Sequence, residues 1–291
     1  MKTRIITGVI FAAFGIPVIL LSDTWLFPVA IALFTLLSVV EILRVFGLNK
    51  SFIVAIPSYI LAVLLPFFAY KSFEGFFAGI FGMPGSFSYM MFCALVFFVY
   101  LLYMAFASVL MRGKLSVNDI AMAFMAVVYL LTSFVSYVLL RNIEHSGFYL
   151  FIMVLVISWG CDISAYFIGT LVGKHKLIPE VSPKKTVEGA IGGIICSAGL
   201  TMLFGFLVSL FDKGVEPQYL TLAIIGLVLS VVSQFGDLWA SIIKRQYGVK
   251  DFGNFFPGHG GALDRFDSVL AICLLLLLIS IWFNPFVAVA V

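Results

Sequence analysis

Charge is what this chain has least of. Only 11% of its 291 residues are Asp, Glu, Lys or Arg, 63% are hydrophobic, and the mean hydropathy is +1.18. That balance excludes a soluble globular domain. It asks instead for apolar runs of about 20 residues that cross a bilayer. Cysteine is scarce too: Cys93, Cys161, Cys196 and Cys273 each sit inside an apolar run without paired spacing. They read as small buried hydrophobes, which excludes a disulfide framework and a CxxC metal or redox site. No HExxH run and no D-G-x-x-A-R run occurs. GTLVGK at 169–174 is one residue short of a Walker motif, and it ends a helix where that motif follows a strand. There is no internal repeat, no low-complexity tail and no soluble appendage, and nothing calls for a nucleic-acid partner.

What is present is a series of apolar runs. Windows of roughly 19 residues predict an all-α integral membrane protein, a polytopic bundle of about nine transmembrane helices. These lie near 5–21, 25–45, 52–70, 89–111, 120–140, 148–172, 187–211, 219–240 and 263–283. The first has the basic start and apolar core of a signal peptide, but no small-residue cleavage site follows, so it is expected to stay as a span. Pro57 and Pro66 predict kinks in the third. The glycine-rich run 73–87 is too short to span and reads as interfacial or re-entrant. In this arrangement Lys2, Arg4, Arg44, Lys50, Arg112, Lys114, Lys174, Lys176, Lys184, Lys185, Lys244, Arg245, Lys250 and Arg265 fall on one side. Only Lys71, Arg141 and Lys213 fall on the other. The positive-inside rule then puts the N-terminus in the cytoplasm and the C-terminus outside. Three parts follow: residues 1–75 with helices 1–3, residues 76–146 with helices 4–5, and residues 147–291 with helices 6–9 and two cytoplasmic loops. Chemistry is expected in the third part, because the earlier loops are short and plain.

The richer of those loops is SIIKRQYGVKDFGNFFPGHGGALDRFDS, residues 241–268. A solvated basic loop would account for Lys244, Arg245, Lys250 and Arg265. It would not account for Gly258, Gly260 and Gly261 around His259, nor for Asp264 and Asp267 one turn apart where a hydrophobic helix opens. Glycines let backbone approach a ligand. Cations suit phosphate, and carboxylates suit a divalent metal that bridges phosphates. Asp237, Ser241 and Lys244 share a face at the end of the eighth span. That face would meet Asp264 and Asp267 if the last two helices are neighbours. His259 could be a ligand, a proton shuttle or a loop residue. The reading is a phosphate-and-metal site.

The other loop, 173–193, offers Lys174, Lys176, Lys184 and Lys185. Thr186 is placed to cap the next helix, with Glu188 in its first turn. Lysines beside the free N–H groups of a helix start make a phosphate seat. Asp162 lies well inside the sixth span, where a carboxylate costs roughly 2.5–3.5 kcal/mol even on the lenient insertion scale. It is either hydrogen-bonded between helices or lines a wet cavity open to the cytoplasm.

These residues resemble a known signature. S-x-x-K-R-x4-K-D-x-G-x5-H-G-G-x-x-D-R-x-D is similar to that of the CDP-diacylglycerol synthases, or phosphatidate cytidylyltransferases. It is met by Ser241, Lys244, Arg245, Lys250, Asp251, Gly253, His259, Gly260, Gly261, Asp264, Arg265 and Asp267. Two further words of that family match: D-x-x-A-Y from Asp162 to Tyr166, and S-P-K-K-T-x-E-G from Ser182 to Gly189. Ala262 stands where a larger aliphatic residue is expected, a packing position. The resemblance is close in the C-terminal half, while the N-terminal half shares only its multi-span character.

The resemblance implies CTP plus phosphatidate giving CDP-diacylglycerol plus pyrophosphate, with Mg²⁺ required and room for a second metal ion. Asp237 and Asp264 would bind metal, with Asp267 a further carboxylate. Lys244, Arg245, Lys250 and Arg265 would bind the lipid phosphate or the departing pyrophosphate. Lys184, Lys185 and Thr186 would close on the nucleotide phosphates. Asp251 and His259 belong with the catalytic set, and Asp162, Tyr166, Ser182, Glu188 and Ser241 with substrate binding. A homodimer is implied, with helices 4–5 free to form its interface. The expected location is the inner membrane if the source is bacterial, with the site facing the cytoplasm. The competing class is a transporter for an anionic or proton-coupled substrate, which would make no pyrophosphate. A lipid kinase would leave a nucleoside diphosphate instead.

Overall fold

The structure is a computed structural model, and it describes residues 13–83, 85–111, 115–256, 258 and 260–289. Its long elements are helices α1 (Leu26–Val45), α2 (Phe52–Phe68), α3 (Glu74–Phe81), α4 (Gly85–Leu110), α5 (Val117–Asn142), α6 (Gly147–Val172), α7 (Val187–Phe211), α8 (Tyr219–Gln246) and α9 (Leu263–Trp282). Four short strands join them: β1 (Lys176–Ile178), β2 (Ser182–Thr186), β3 (Val215–Pro217) and β4 (Phe286–Ala288).

Among the described residues, seven helices are long and apolar enough to cross a membrane. An eighth span arises if α2 and the bent segment Lys71–Phe81 count as one, the two meeting at 83°. The chain is therefore an all-helical polytopic membrane protein. The expected first span, 5–21, lies mostly outside the described residues. Large apolar side chains such as Phe98, Leu102, Phe106 and Val109 of α4 are exposed, as lipid-facing residues must be.

The chain divides into two compact units, Met1–Leu139 with Val249–Asp264, and Leu140–Gly248 with Arg265–Val291. In the first, α1 packs on α2, and α4 packs on α2 and α3. Its core holds Phe27, Val39, Leu43, Val54, Met104, Val127 and Phe134, all buried. Pro57 lies within α2, and its ring removes the N–H that would have bonded the Ile53 carbonyl. Tyr103 of α4 donates its hydroxyl to that carbonyl at 2.8 Å. A neighbouring helix thus supplies the donor that proline lacks, as a bilayer requires.

In the second unit α6, α7 and α8 pack on one another. The α6–α7 contact is backbone-close: a Cβ on Gly189 would lie 2.6 Å from the Ala165 carbonyl oxygen, so no side chain fits there. Leu150, Val154, Ile157, Leu222, Leu229, Ile272 and Leu276 fill the core. At one end β3 pairs antiparallel with β4, tying the end of α7 to the segment after α9. Beside it the Tyr149 hydroxyl donates to Asp212 at 2.5 Å. That bond and the Gly214 amide hold the Asp212 carboxyl below the usual carboxylate range.

Two local features depart from the sequence reading. The loop 173–193 folds partly as the antiparallel hairpin β1–β2, with Lys176 opposite Thr186. Helix α8 continues to Gln246, beyond the span bound expected at residue 240, although the shared face of Asp237, Ser241 and Lys244 already called for a helix as far as Lys244. Hydropathy marks only the greasy part of a helix, and Lys, Arg and Gln extend one readily.

Candidate active site

The site residues of the second unit meet around the start of α7. Thr186 ends β2 in an extended conformation, and its hydroxyl accepts the Gly189 N–H at 3.2 Å. This is the expected N-cap. Glu188, in the first turn, accepts the backbone N–H groups of Lys174 at 3.1 Å and His175 at 3.2 Å, and pairs with the His175 ring at 2.6 Å. Its carboxylate fastens the turn into β1, and it does not line the cavity described next.

That cavity has a volume of about 530 Å³. Asp162, Tyr166 and Thr170 line it from α6, Lys176 from β1, and Lys184, Lys185 and Thr186 from β2; Gln234 and Asp237 line it from α8. Lys185 forms an ion pair with Asp237. The amide of Gln234, one turn before Asp237, donates to the Ala190 carbonyl at 3.0 Å and so ties α8 to α7. Asp162 accepts from the Ser268 hydroxyl at 3.0 Å. Ser268 in turn accepts from Ser158 at 2.8 Å, and Ser233 reaches Ser158 at 3.4 Å. Asp162 is therefore hydrogen-bonded between helices and also lines a cavity. Gln234, Ser158, Ser233 and Ser268 were not singled out from sequence.

Further along α8, Lys244 approaches Asp267 of α9 at 3.8 Å, each side chain about 10% exposed. The charges of Asp237 and Asp162 also act on Asp267. Arg245 is exposed, with its Nε directed at the Val181 carbonyl at 3.5 Å. Ser241 is half-buried, Arg265 is exposed, and Ser182 opens β2 opposite Ile178.

The remaining signature residues belong to the first unit. Asp264, buried in the first turn of α9, accepts the Phe252 N–H at 2.8 Å and the Gly261 N–H at 2.9 Å through one oxygen. Asp251 and Asp264 both flank Gly260, whose φ of +88° suits glycine. Lys250 and Asp251 are exposed. His259 lies outside the described residues. The sequence reading also passed over a carboxylate here. Glu41, near the C-terminal end of α1, accepts the N–H groups of Ala262 and Leu263, each at 2.9 Å. The first part of the chain thus supplies a carboxylate that holds the backbone next to Asp264.

Among the described residues, no three His, Cys, Asp or Glu side chains already stand around one point as a metal cage would. Mg²⁺ needs no such cage, since it is held by one or two carboxylates together with substrate phosphates. Asp162, Asp237 and Asp267 are hard oxygen donors whose charges act on one another, and two of them face a lysine. A set of that kind suits the ion.

Comparison with known proteins agrees with this chemistry. Residues 2–283 match the model of a family described as the cytidylyltransferase family. The phosphatidate cytidylyltransferase of Bacillus subtilis (strain 168) is 35% identical over 274 residues, 93% of this chain and 94% of that one. The phosphatidate cytidylyltransferase of Staphylococcus haemolyticus (strain JCSC1435) is 32% identical over 276 residues, 95% of this chain and 97% of that one.

Proposed function

The chain belongs to the cytidylyltransferase family, and from that premise we propose that it is a membrane-embedded phosphatidate cytidylyltransferase. It converts CTP and phosphatidate to CDP-diacylglycerol and pyrophosphate. The observation that carries this reading is the cavity of about 530 Å³ in which Lys176, Lys184 and Lys185 meet Asp162, Asp237 and the amino end of α7. Lysines beside the positive end of a helix are a seat for phosphate. The two carboxylates beside them, Asp162 and Asp237, serve a reaction in which phosphate and a divalent ion arrive together.

In the reaction a phosphatidate oxygen bonds to the α-phosphorus of CTP, and the bond from that phosphorus to pyrophosphate breaks. Such transfers depend on positioning and charge neutralisation more than on a protein nucleophile. Lys184 and Lys185, with Thr186 at the helix cap, are the proposed holders of the nucleotide phosphates. Lys244, Arg245, Lys250 and Arg265 are the proposed partners of the lipid phosphate or of departing pyrophosphate. Tyr166 lines the cavity and is 66% exposed, and its helix neighbours Ile163, Phe167 and Leu171 are exposed too. An apolar rim of this kind supports sideways entry of a lipid. Asp237, Asp264 and Asp267 are the proposed holders of Mg²⁺, an assignment that rests on the signature. The ion would supply positive charge to the transferred phosphate; a second ion would act in the same way.

The lysine and arginine distribution supports a nine-span chain with its N-terminus and these loops in the cytoplasm and its C-terminus outside. In a bacterium that places the protein in the inner membrane. A homodimer through α4 and α5 is proposed on the family resemblance alone. The test of the function is to follow labelled CTP with phosphatidate in detergent. Label in the lipid fraction with one pyrophosphate released per turnover is expected; a nucleoside diphosphate product, or none, refutes it.

A further inference from the structure

Glu41 is the one carboxylate of α1, and a carboxylate within an apolar span demands an explanation. It is 5% exposed, and its hydrogen bonds go to backbone, with the Arg44 charge acting on it from one turn further along the helix. Its two oxygens are divided between two consecutive backbone donors: Oε1 accepts the Ala262 N–H and Oε2 the Leu263 N–H, each at 2.9 Å. Leu263 is the first residue of α9. The opening N–H groups of a helix have no partner within it and carry its positive end. Here a side chain more than 220 residues earlier supplies the cap.

The surrounding sequence is shaped to this carboxylate. A Cβ on Gly253 or on Gly261 would collide with the Glu41 carboxylate where it now sits, so glycine at both positions lets the carboxylate reach the turn without shifting. The next link is Asp264. It accepts the Phe252 and Gly261 N–H groups, which neighbour Gly253 and Ala262 in the chain. Glu41 and Asp264 thus share one run of backbone, Gly261 to Leu263, from its two sides. Removing Glu41 would free two N–H groups in a buried place and release the turn against which the Asp264 carboxylate is set.

We propose that Glu41 is a positioning residue for the reaction, holding Gly261–Leu263 so that the Asp264 carboxylate is presented in a fixed orientation to the metal and phosphate. This rests on the function proposed above. Glu41 touches neither substrate, and it acts through Asp264.

The experiment uses the full chain in detergent, with Glu41→Gln and Glu41→Ala beside the unaltered protein. Glu41→Gln keeps the shape and one accepting oxygen, but turns an NH₂ toward the second N–H. Turnover in Glu41→Gln should fall by roughly 10–100-fold, the usual loss when an outer support of a metal ligand is removed. Its KM for CTP and for phosphatidate should change by less than about threefold, the substrates being held elsewhere. The midpoint for Mn²⁺ binding, read by electron paramagnetic resonance without substrate, should rise in both variants. A merely structural role would lower the folded fraction and leave that midpoint in place. Hydrogen exchange at Ala262 and Leu263 should be slow in the unaltered protein and faster in Glu41→Gln. Rapid exchange at both amides of the unaltered protein overturns the proposal even if Glu41→Ala fails to fold. So does Glu41→Gln with unchanged turnover and Mn²⁺ binding. If instead the unaltered protein makes no CDP-diacylglycerol while its amides are slow and Mn²⁺ binding shifts on substitution, the enzymatic reading fails and the clasp stands.

Discussion

The Lys185–Asp237 ion pair can be read as a prop between β2 and α8, or as two groups with separate duties in the reaction; a double-mutant cycle separates them. Both side chains are about a quarter exposed, at 29% and 24%, so solvent screens the pair only in part. A hydrogen bond to a charged group is worth about 1.5–3 kcal/mol, and loss of one partner leaves the other charge poorly solvated. Lys185→Met and Asp237→Asn should therefore each lower stability, by about 1–3 kcal/mol at most. The double variant should recover part of that loss, since coupled neighbours show interaction energies of roughly 0.5–3 kcal/mol. Activity should behave differently. Lys185→Met should raise the KM for CTP while moving that for phosphatidate much less. Asp237→Asn should lower turnover by ~100-fold or more, as loss of a positioned charge at the reacting centre does. The double variant should be no better than Asp237→Asn alone. Thermal unfolding in detergent reads the first cycle and pyrophosphate release the second. Recovery of turnover in the double variant, in step with stability, would show that the pair is only a prop and would refute the division of labour.

Asp264→Asn and Asp264→Glu should both abolish pyrophosphate release while the protein still inserts and unfolds cooperatively; near-normal turnover in folded Asp264→Asn would sink the metal assignment. Asp267 should be less absolute, with Asp267→Asn losing roughly 10–100-fold. Thr186→Ala removes the cap of α7 and should cost about 1 kcal/mol of stability, most of it restored by Thr186→Ser, as thermal midpoints will register. A cysteine placed at Asn254 should resist labelling from outside intact cells and one at Lys213 should react; the opposite pattern overturns the orientation.

The helices were legible because lipid selects long apolar runs, and the bend after α2 showed in the glycine-rich stretch that follows it. The cap at Thr186 was legible as well, because its signal is local. What escaped depended on geometry across the fold. The five residues Ser182–Thr186 carry no polar–apolar alternation, so β2 could not be told from a basic loop; its pairing with β1 supplies the order. Gln234 and Ser268 look like ordinary polar residues of a span until their partners, the Ala190 carbonyl and Asp162, are seen. Glu41 is the instructive omission. The rule that drew notice to Asp162, that a carboxylate in an apolar helix needs a reason, applied equally to it. Its partners are backbone N–H groups that no side-chain pattern reveals.

The central claim is that the lysines and carboxylates of the α6–α8 cavity serve cytidylyl transfer to a lipid. One measurement tests it most directly: purified protein, CTP labelled at the α-phosphate, and phosphatidate in mixed micelles with Mg²⁺, run beside Asp237→Asn. The account predicts label in CDP-diacylglycerol, pyrophosphate in equal amount, and both products formed ~100-fold more slowly or worse by the variant. Label that stays in a nucleoside mono- or diphosphate, or full product from a folded Asp237→Asn protein, would contradict it.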